Sequence, residues 1–389
     1  MSALHGARVR FEIRLPRDRM IPDRLRRLVR RALLSARAPA LFTLGLLRWR
    51  RSAPPSPSRV GRILVVRTDR LGDMALTAAS LLDLRRHFKN AEITVLAPPA
   101  PLALLEAHPG VDRRVPLGAA GLPRDLVGRF DLAIDFTPDA ALRGALLVNR
   151  SRARYRIGFG AAGRQACFNL KGPWADPARH VVDLNRDLIA ALGATPVAAC
   201  PSLYVTAQEK GEAQSRLAGL GAASPRVALH PGGHYPSQRW GPERFADLIS
   251  ELTGRTGAAC IVMAGPGEDD LVRRICAATP DALALGALPV RGLMACLASC
   301  DLFIGNNSGP LHVATALGLP TVSLMGPTDP ARFSPRGPAD RVLRRDLPCS
   351  PCDRGRCWHH TCLRAIEPEE VLREAEAALA SRLVLPEAR

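Results

Sequence analysis

Residues 301–330 read DLFIGNNSGPLHVATALGLPTVSLMGPTDP. Residues 301–304 are a short apolar run suited to a buried strand. Residues 305–309, GNNSG, are a tight polar turn. Residues 310–317 have helical character, with Pro310 in the first turn, where its missing N–H costs nothing. Gly318 ends that helix, and residues 321–324 read as a second strand. Strand, glycine loop, helix and strand make a βαβ unit. Its loop falls at the carboxyl end of a parallel strand, where open α/β sheets bind ligands. The amides of Ser308 and Gly309 would point outward at a helix N-terminus, which favours an anion. A phosphate is the economical guest.

The same alternation extends on both sides. RILVV at 62–66 is an apolar, β-branched strand, and RTDRLGD at 67–73 is the loop after it. Residues 74–88 read as a helix, and residues 91–96 and 131–136 as further strands, so a parallel doubly wound sheet is expected. A second unit opens near Pro225. Its strand at 226–230 leads into the loop PGGHYPSQRW at 231–240, and its strand at 259–264 leads into GPGEDD at 265–270. Loops holding Gly232, Gly233, Arg239, Glu268 and Ser308 all follow strands of one sheet and should converge on one edge. A cation beside helix N-termini suits a pyrophosphate, and a carboxylate suits ribose hydroxyls. Ordinary βα turns and a capping role for Glu268 are the alternatives.

Asp73 follows a glycine at the expected helix start. It reads either as an N-cap or as a general base at the carboxyl edge of the first strand. Asp69 is a second acid in that loop, with Arg67 and Arg70 as its partners. Downstream, Arg143, Arg150, Arg152, Arg154, Arg156, Arg164 and Lys171 form a basic segment. It reads as a dock for an acidic acceptor or as a solvated face. GFGAAG at 158–163 matches the dinucleotide pattern but follows Arg-rich sequence rather than an apparent strand, so it is read as a flexible loop.

Composition bounds the rest. The 389 residues carry a net charge of +18, with 47% hydrophobic and 4% aromatic residues. Scarce aromatics argue against stacking platforms for nucleic acid. Residues 1–59 hold fifteen Arg, no Lys and three acids, so most of the charge sits in an amino-terminal arm. Ile21, Leu25, Leu28 and Ala32 recur there at helical spacing among arginines. The arm reads as an amphipathic helix on an anionic membrane surface, or as a solvated arm or a helix packed on the protein itself. It lacks a signal-peptide pattern. Cys349, Cys352, Cys357 and Cys362 form a C-x2-C-x4-C-x4-C cluster. It reads as a structural metal site, or as free thiols or a disulfide.

RILVVRTDRLGD, HPGGHYPSQRWGPERF, MAGPGEDD, DLFIGNNSGPLH, GPTDP and the closing CSPC segment, in this order, resemble the ADP-heptose:lipopolysaccharide heptosyltransferases, glycosyltransferase family 9. The resemblance covers about residues 60–375. It implies a GT-B fold, α/β with two Rossmann-like domains facing across a cleft. The domains would be 60–205 on the acceptor side and 206–366 on the nucleotide-sugar side, with the arm at 1–59 and a helix at 367–389 packing back on the first domain. It implies inverting transfer of a heptose from ADP-heptose to the lipopolysaccharide inner core, with no cofactor and no catalytic metal. The enzyme would be cytoplasmic and peripheral on the inner membrane's inner face. Carried over, Asp73 is the base. Arg239 meets the donor phosphates, Ser308 and Gly309 form the phosphate-binding turn and Glu268 is the ribose-binding acid; Gly232, Gly233, Asn307 and His312 are expected to bind the donor with them, and Arg67, Arg70, Arg154 and Arg164 are expected to serve an acidic lipid-linked saccharide acceptor. Asn307 departs from the Asp that many members carry, which opens the reading to another nucleotide sugar or acceptor. A sugar-nucleotide epimerase or hydrolase on the same architecture is the rival class.

Overall fold

The computed structural model describes residues 53–197, 202–220 and 224–384. Residues 1–52, which hold the expected amphipathic helix of the basic arm, lie outside the described residues. Among the described residues no helix is long and apolar enough to cross a membrane.

Two parallel sheets form the frame. The first contains β1 (Arg62–Val66), β2 (Glu92–Ala97), β3 (Arg113–Pro116), β4 (Leu132–Asp135) and β5 (Tyr155–Gly158), in the order β3-β2-β1-β4-β5. The second contains β6 (Arg226–His230), β7 (Ala259–Met263), β8 (Leu283–Leu285), β9 (Leu302–Asn306), β10 (Thr321–Met325) and β11 (Arg341–Arg344), in the order β11-β10-β9-β6-β7-β8. Helices cover both faces. The central strands are therefore nearly unbroken apolar runs, as parallel sheets require, and Ile63, Leu64, Val65 and Val66 are all fully buried. In each sheet the chain reverses direction beside its first strand, between β1 and β4 and between β6 and β9. Such switch points leave a crevice at the carboxyl ends.

Three sequence readings change. β5 is a strand, so GFGAAG does follow one, and the stated reason for setting the dinucleotide motif aside is wrong. The motif still fails, because a short 3-10 turn at Arg164–Cys167 follows instead of a helix. The helix Leu71–His87 starts three residues earlier than expected. The carboxyl-terminal helix, Pro368–Val384, does not pack back on the first domain. Its Val371, Leu372, Ala375 and Ala378 join Leu302, Ile304 and Val322 in the core of the second.

The two units touch through helix ends. Helix Leu71–His87 lies against helix Gly309–Ala316, and an apolar cluster runs from Ile63 and Met74 through Leu311 and Val313 to Phe303. Glycine allows this approach. A Cβ at Gly72 would lie 2.8 Å from His312 Cδ2 and 3.3 Å from Gly309 Cα. His312 is buried and has little room to yield. Gly72→Ala is expected to cost about 1–3 kcal/mol through overpacking, read as a lowered urea midpoint; an unchanged midpoint would mean that the helix ends part freely.

Candidate functional site

On the first sheet, the site begins where β1 ends. Arg67 is 0% exposed. Its Nη1 donates to the Phe136 carbonyl, beside the end of β4. Its Nε lies 2.9 Å from Asp69 Oδ1, and its Nη2 lies 3.5 Å from Asp73 Oδ1. The Nε–Oδ1 pair is close but not aligned as a hydrogen bond, leaving Arg67 Nε and Nη2 and Asp69 Oδ1 without hydrogen-bond partners. Asp73 is the third residue of its helix, and its Oδ2 accepts from the Arg70 amide at 3.1 Å. It therefore caps the helix from inside, through its own carboxylate on the Arg70 amide, rather than standing as the N-cap. Its side chain is 25% exposed, so a substrate hydroxyl can reach it. Burial pushes the Asp69 carboxyl up to about 7, and the charges of Asp73 and Asp139 add to this against the pull of Arg67.

On the second sheet, Asn306 at the end of β9 organises the loop after β6. Its Nδ2 donates to the carbonyls of Pro231 and Gly232 at 2.8 and 2.9 Å, and its Oδ1 accepts from the Trp240 amide at 3.1 Å. Sequence reading placed Asn306 in a polar turn and missed this clip. Glu268 holds the same loop from below. It accepts from the amides of Gly233 and Gly265, both at 2.9 Å, and its Oε2 lies 3.3 Å from His230 Nε2. A Cβ at Gly232 would sit 1.9 Å from Glu268 Oε2, so only glycine fits there. Burial pushes the Glu268 carboxyl up, but the His230 ring and the two amides outweigh it and bring the group down to about 2. Both oxygens are thus taken up within the protein, and Glu268 acts first as the loop's anchor.

Arg239 is bound to the Gly233 carbonyl through Nε and Nη2, at 3.1 and 2.9 Å, with Nη2 3.4 Å from Glu268. The side chain is partly exposed, which leaves guanidinium surface free for a ligand. Ser308 is the N-cap of helix Gly309–Ala316, yet its side chain does not cap. The amides of the first turn therefore remain available to an anion. Asn307 is buried, and its Nδ2 has no hydrogen-bond partner. A buried donor in that condition is costly unless a ligand meets it. His312 lies one turn on, and burial pushes its ring down to about 4, so it stands neutral beside Asp73. Arg70 reaches across to the second unit, 5.8 Å from the ring centre of Tyr235.

The expected acceptor arginines divide. Arg70 is exposed at the crevice. Arg67 and Arg164 are both 0% exposed. Arg164 pairs with Asp135 and donates to the carbonyls of Thr137 and Asp139. These two hold loops together and do not present their cations to an acceptor. Arg154 precedes β5 and so lies at the opposite edge of the sheet from Asp73, stacked over Tyr155. Cys349, Cys352, Cys357 and Cys362 line one cavity of about 30 Å³ with His359 and His360. Among the described residues, however, no three ligating side chains are disposed to hold a metal ion. A larger cavity of about 280 Å³ lies by Arg62, Glu92 and Arg113, at the amino ends of β1 to β3 and away from the crevice.

The model of glycosyltransferase family 9 (heptosyltransferase) matches residues 120–362. Lipooligosaccharide heptosyltransferase 2 of Campylobacter jejuni is 30% identical over 166 residues, 38% of this chain and 49% of the relative. The chain thus spans about half the length of that relative. Lipopolysaccharide heptosyltransferase 2 of Salmonella typhimurium is 25% identical over 346 residues, 82% of this chain and 98% of its own length. The solved structure of Escherichia coli ADP-heptose lps heptosyltransferase II superposes with a TM-score of 0.72 at 24% identity, over 83% of this chain and 99% of that one. The likeness shows a shared GT-B fold.

The depressed Glu268 group has a consequence for stability. Its contribution is present above its ordinary value of 4.5 and is lost as pH falls toward about 2. Glu268→Gln is expected to flatten the loss of thermal stability over that window and to weaken the loop at neutral pH. Parallel melting curves of the two proteins from neutral to acid pH check this, and superimposable acid limbs would remove Glu268 as the anchor.

Proposed function

The chain belongs to glycosyltransferase family 9, and from that membership we propose that it moves a heptose from ADP-heptose to the lipopolysaccharide inner core, with inversion at the anomeric carbon. One observation carries the reading. Asp73, on a helix starting at the first sheet's carboxyl edge, lies beside the uncapped first turn of the Gly309 helix where the two units meet. The first supplies a base, and the second supplies a place for a diphosphate.

The chemistry follows from that division. Asp73 accepts the proton of an acceptor hydroxyl as its oxygen bonds to the anomeric carbon. The bond from that carbon to the diphosphate breaks on the opposite face, and its electron pair leaves on ADP. Arg239 and the amides after Ser308 stabilise the departing charge. These donors are fixed before reaction, which is where electrostatic catalysis gains most. No metal or cofactor is needed in this scheme. Asn307 offers an amide N–H to a sugar hydroxyl, and Arg70 meets the acceptor's acidic groups. The basic arm is proposed to hold the enzyme to the anionic inner face of the inner membrane, where a lipid-linked acceptor resides.

Asp73→Asn is expected to lower kcat by about 10²–10⁴-fold, the usual worth of a placed base, with ADP affinity in calorimetry unchanged. Arg239→Ala is expected to weaken ADP binding by about tenfold or more, since it removes a charge-assisted contact to phosphate. A donor panel assayed by ADP release, with and without core-lipid acceptor, tests the reaction itself. Release that needs no acceptor would make the protein a hydrolase. Asp73→Asn with near-normal turnover would reduce Asp73 to a helix cap.

A further inference from the structure

Asp69 has no part in the scheme above, yet it shares its partner with the base. Arg67 is fully buried and pinned by the Phe136 carbonyl, so its guanidinium cannot swing. Its Nε edge faces Asp69 at 2.9 Å, and its Nη2 edge faces Asp73 at 3.5 Å. Both Arg67 nitrogens lack an aligned hydrogen bond, as does Asp69 Oδ1. One immobile cation thus stands between two carboxyls, and it is fully committed to neither. The Asp69 side chain is 20% exposed, at the same mouth as Asp73.

We propose that Asp69 is a positioning residue for Asp73: the two carboxyls form a pair on the Arg67 clamp, and the state of Asp69 sets how firmly Arg67 aims Asp73 at the acceptor hydroxyl. The surrounding charges support this. Asp69 faces Arg67, Asp73 and Asp139. Asp139 lends its carbonyl to Arg164, whose charge is already paired with Asp135. From the second unit, Asp73 faces the neutral His312. Two carboxyls therefore share one guanidinium in a partly dry setting, with the Asp139 charge acting on Asp69 as well, and such a group keeps a proton. Burial, with Asp73 and Asp139, pushes Asp69 up to about 7. Below that point a protonated Asp69 leaves the Arg67 charge to Asp73. Above it Asp69 ionises at its 2.9 Å contact, and the fixed Arg67 charge is shared between two carboxylates instead of serving Asp73 alone. No proton passes from Asp69 in the reaction.

The kinetic consequence rests on the transferase reading, but the pair itself does not. Full-length protein carrying ¹³Cγ-aspartate is titrated by NMR without substrate. Wild type is expected to show a carboxyl signal with a midpoint near 7. That signal should vanish in Asp69→Asn and move downward in Asp73→Asn, which removes a neighbouring negative charge. With an active donor and acceptor, wild-type kcat should fall as pH rises from about 6 to about 8. In Asp69→Asn the ratio of the two rates should approach one, while KM for the donor stays put. A wild-type signal confined to the ordinary carboxylate range overturns the pair. So does a midpoint indifferent to Asp73→Asn, or a pH profile unaltered by Asp69→Asn. If no donor turns over, the transferase reading fails while the titration still decides the pairing.

Discussion

The contact of two helix amino-termini governs this molecule. Leu71 and Gly72 open one helix, Gly309 opens the other, and a Cβ at Gly72 would stand 3.3 Å from Gly309 Cα. Each helix end carries roughly half a positive charge in unpaired amides. Bringing two such ends together is unfavourable unless negative charge lies between them. Asp73 supplies some of it from within the first helix and satisfies the Arg70 amide. Nothing equivalent serves the second, because Ser308 does not cap and Pro310 has no N–H. The fold thus leaves a site of positive potential whose unmet partner is an anion. A nucleoside diphosphate fits that requirement better than a neutral sugar would.

Rigidity on the second sheet comes from buried groups that meet one another rather than a ligand. Asn306 uses both ends of its amide on the 231–240 loop, and Glu268 uses both oxygens on Gly233 and Gly265. The loop is therefore shaped before any donor arrives. Removing either group would strand several buried polar partners at once, and that loss weighs more than a single hydrogen bond. Sequence reading took Glu268 for a ribose ligand because a carboxylate after a parallel strand has that meaning in dinucleotide folds. The structure gives it a prior task, one that could not be read without knowing that Gly232 passes within 1.9 Å of it.

Local chemistry was legible, and long-range placement was not. RILVV and RVALH announce buried strands because parallel sheets need unbroken apolar runs, and both fall on β1 and β6 as expected. The 301–330 unit was equally clear, as was Asp73 at a helix start. β5 escaped because Tyr155–Gly158 is a short edge strand with Arg156 in it, and its pairing with β4 is a tertiary fact. The acceptor arginines failed for a related reason. Charge in a sequence suggests solvent, but Arg164 is drawn inside by Asp135, twenty-nine residues away. Arg154 failed through geometry alone, since only the direction of β5 tells which edge it occupies. The span matched by the family begins after the Asp73 helix, so the case for Asp73 rests on its place in the crevice and on the local motif.

The division of labour between the sheets has a physical logic. Transfer from a diphosphate develops negative charge on the leaving group while the nucleophile sheds a proton. A single site offering strong positive potential to both ends would hold the hydroxyl's oxygen but hinder the base that must receive its proton. Here the cations are separated by role. On the second sheet, Arg239 is partly exposed and the first turn of the Gly309 helix is uncapped, which suits a leaving group's charge. Arg67 and Arg164 are sunk into the first sheet, Arg67 standing between Asp69 and Asp73 and Arg164 taken up by Asp135 and two carbonyls. The neutral ring of His312 stands beside Asp73. Because a Cβ at Gly72 would meet Gly309 Cα at 3.3 Å, the carboxylate at Asp73 and the open amides after Ser308 are near neighbours, and each is set by the charge of the other.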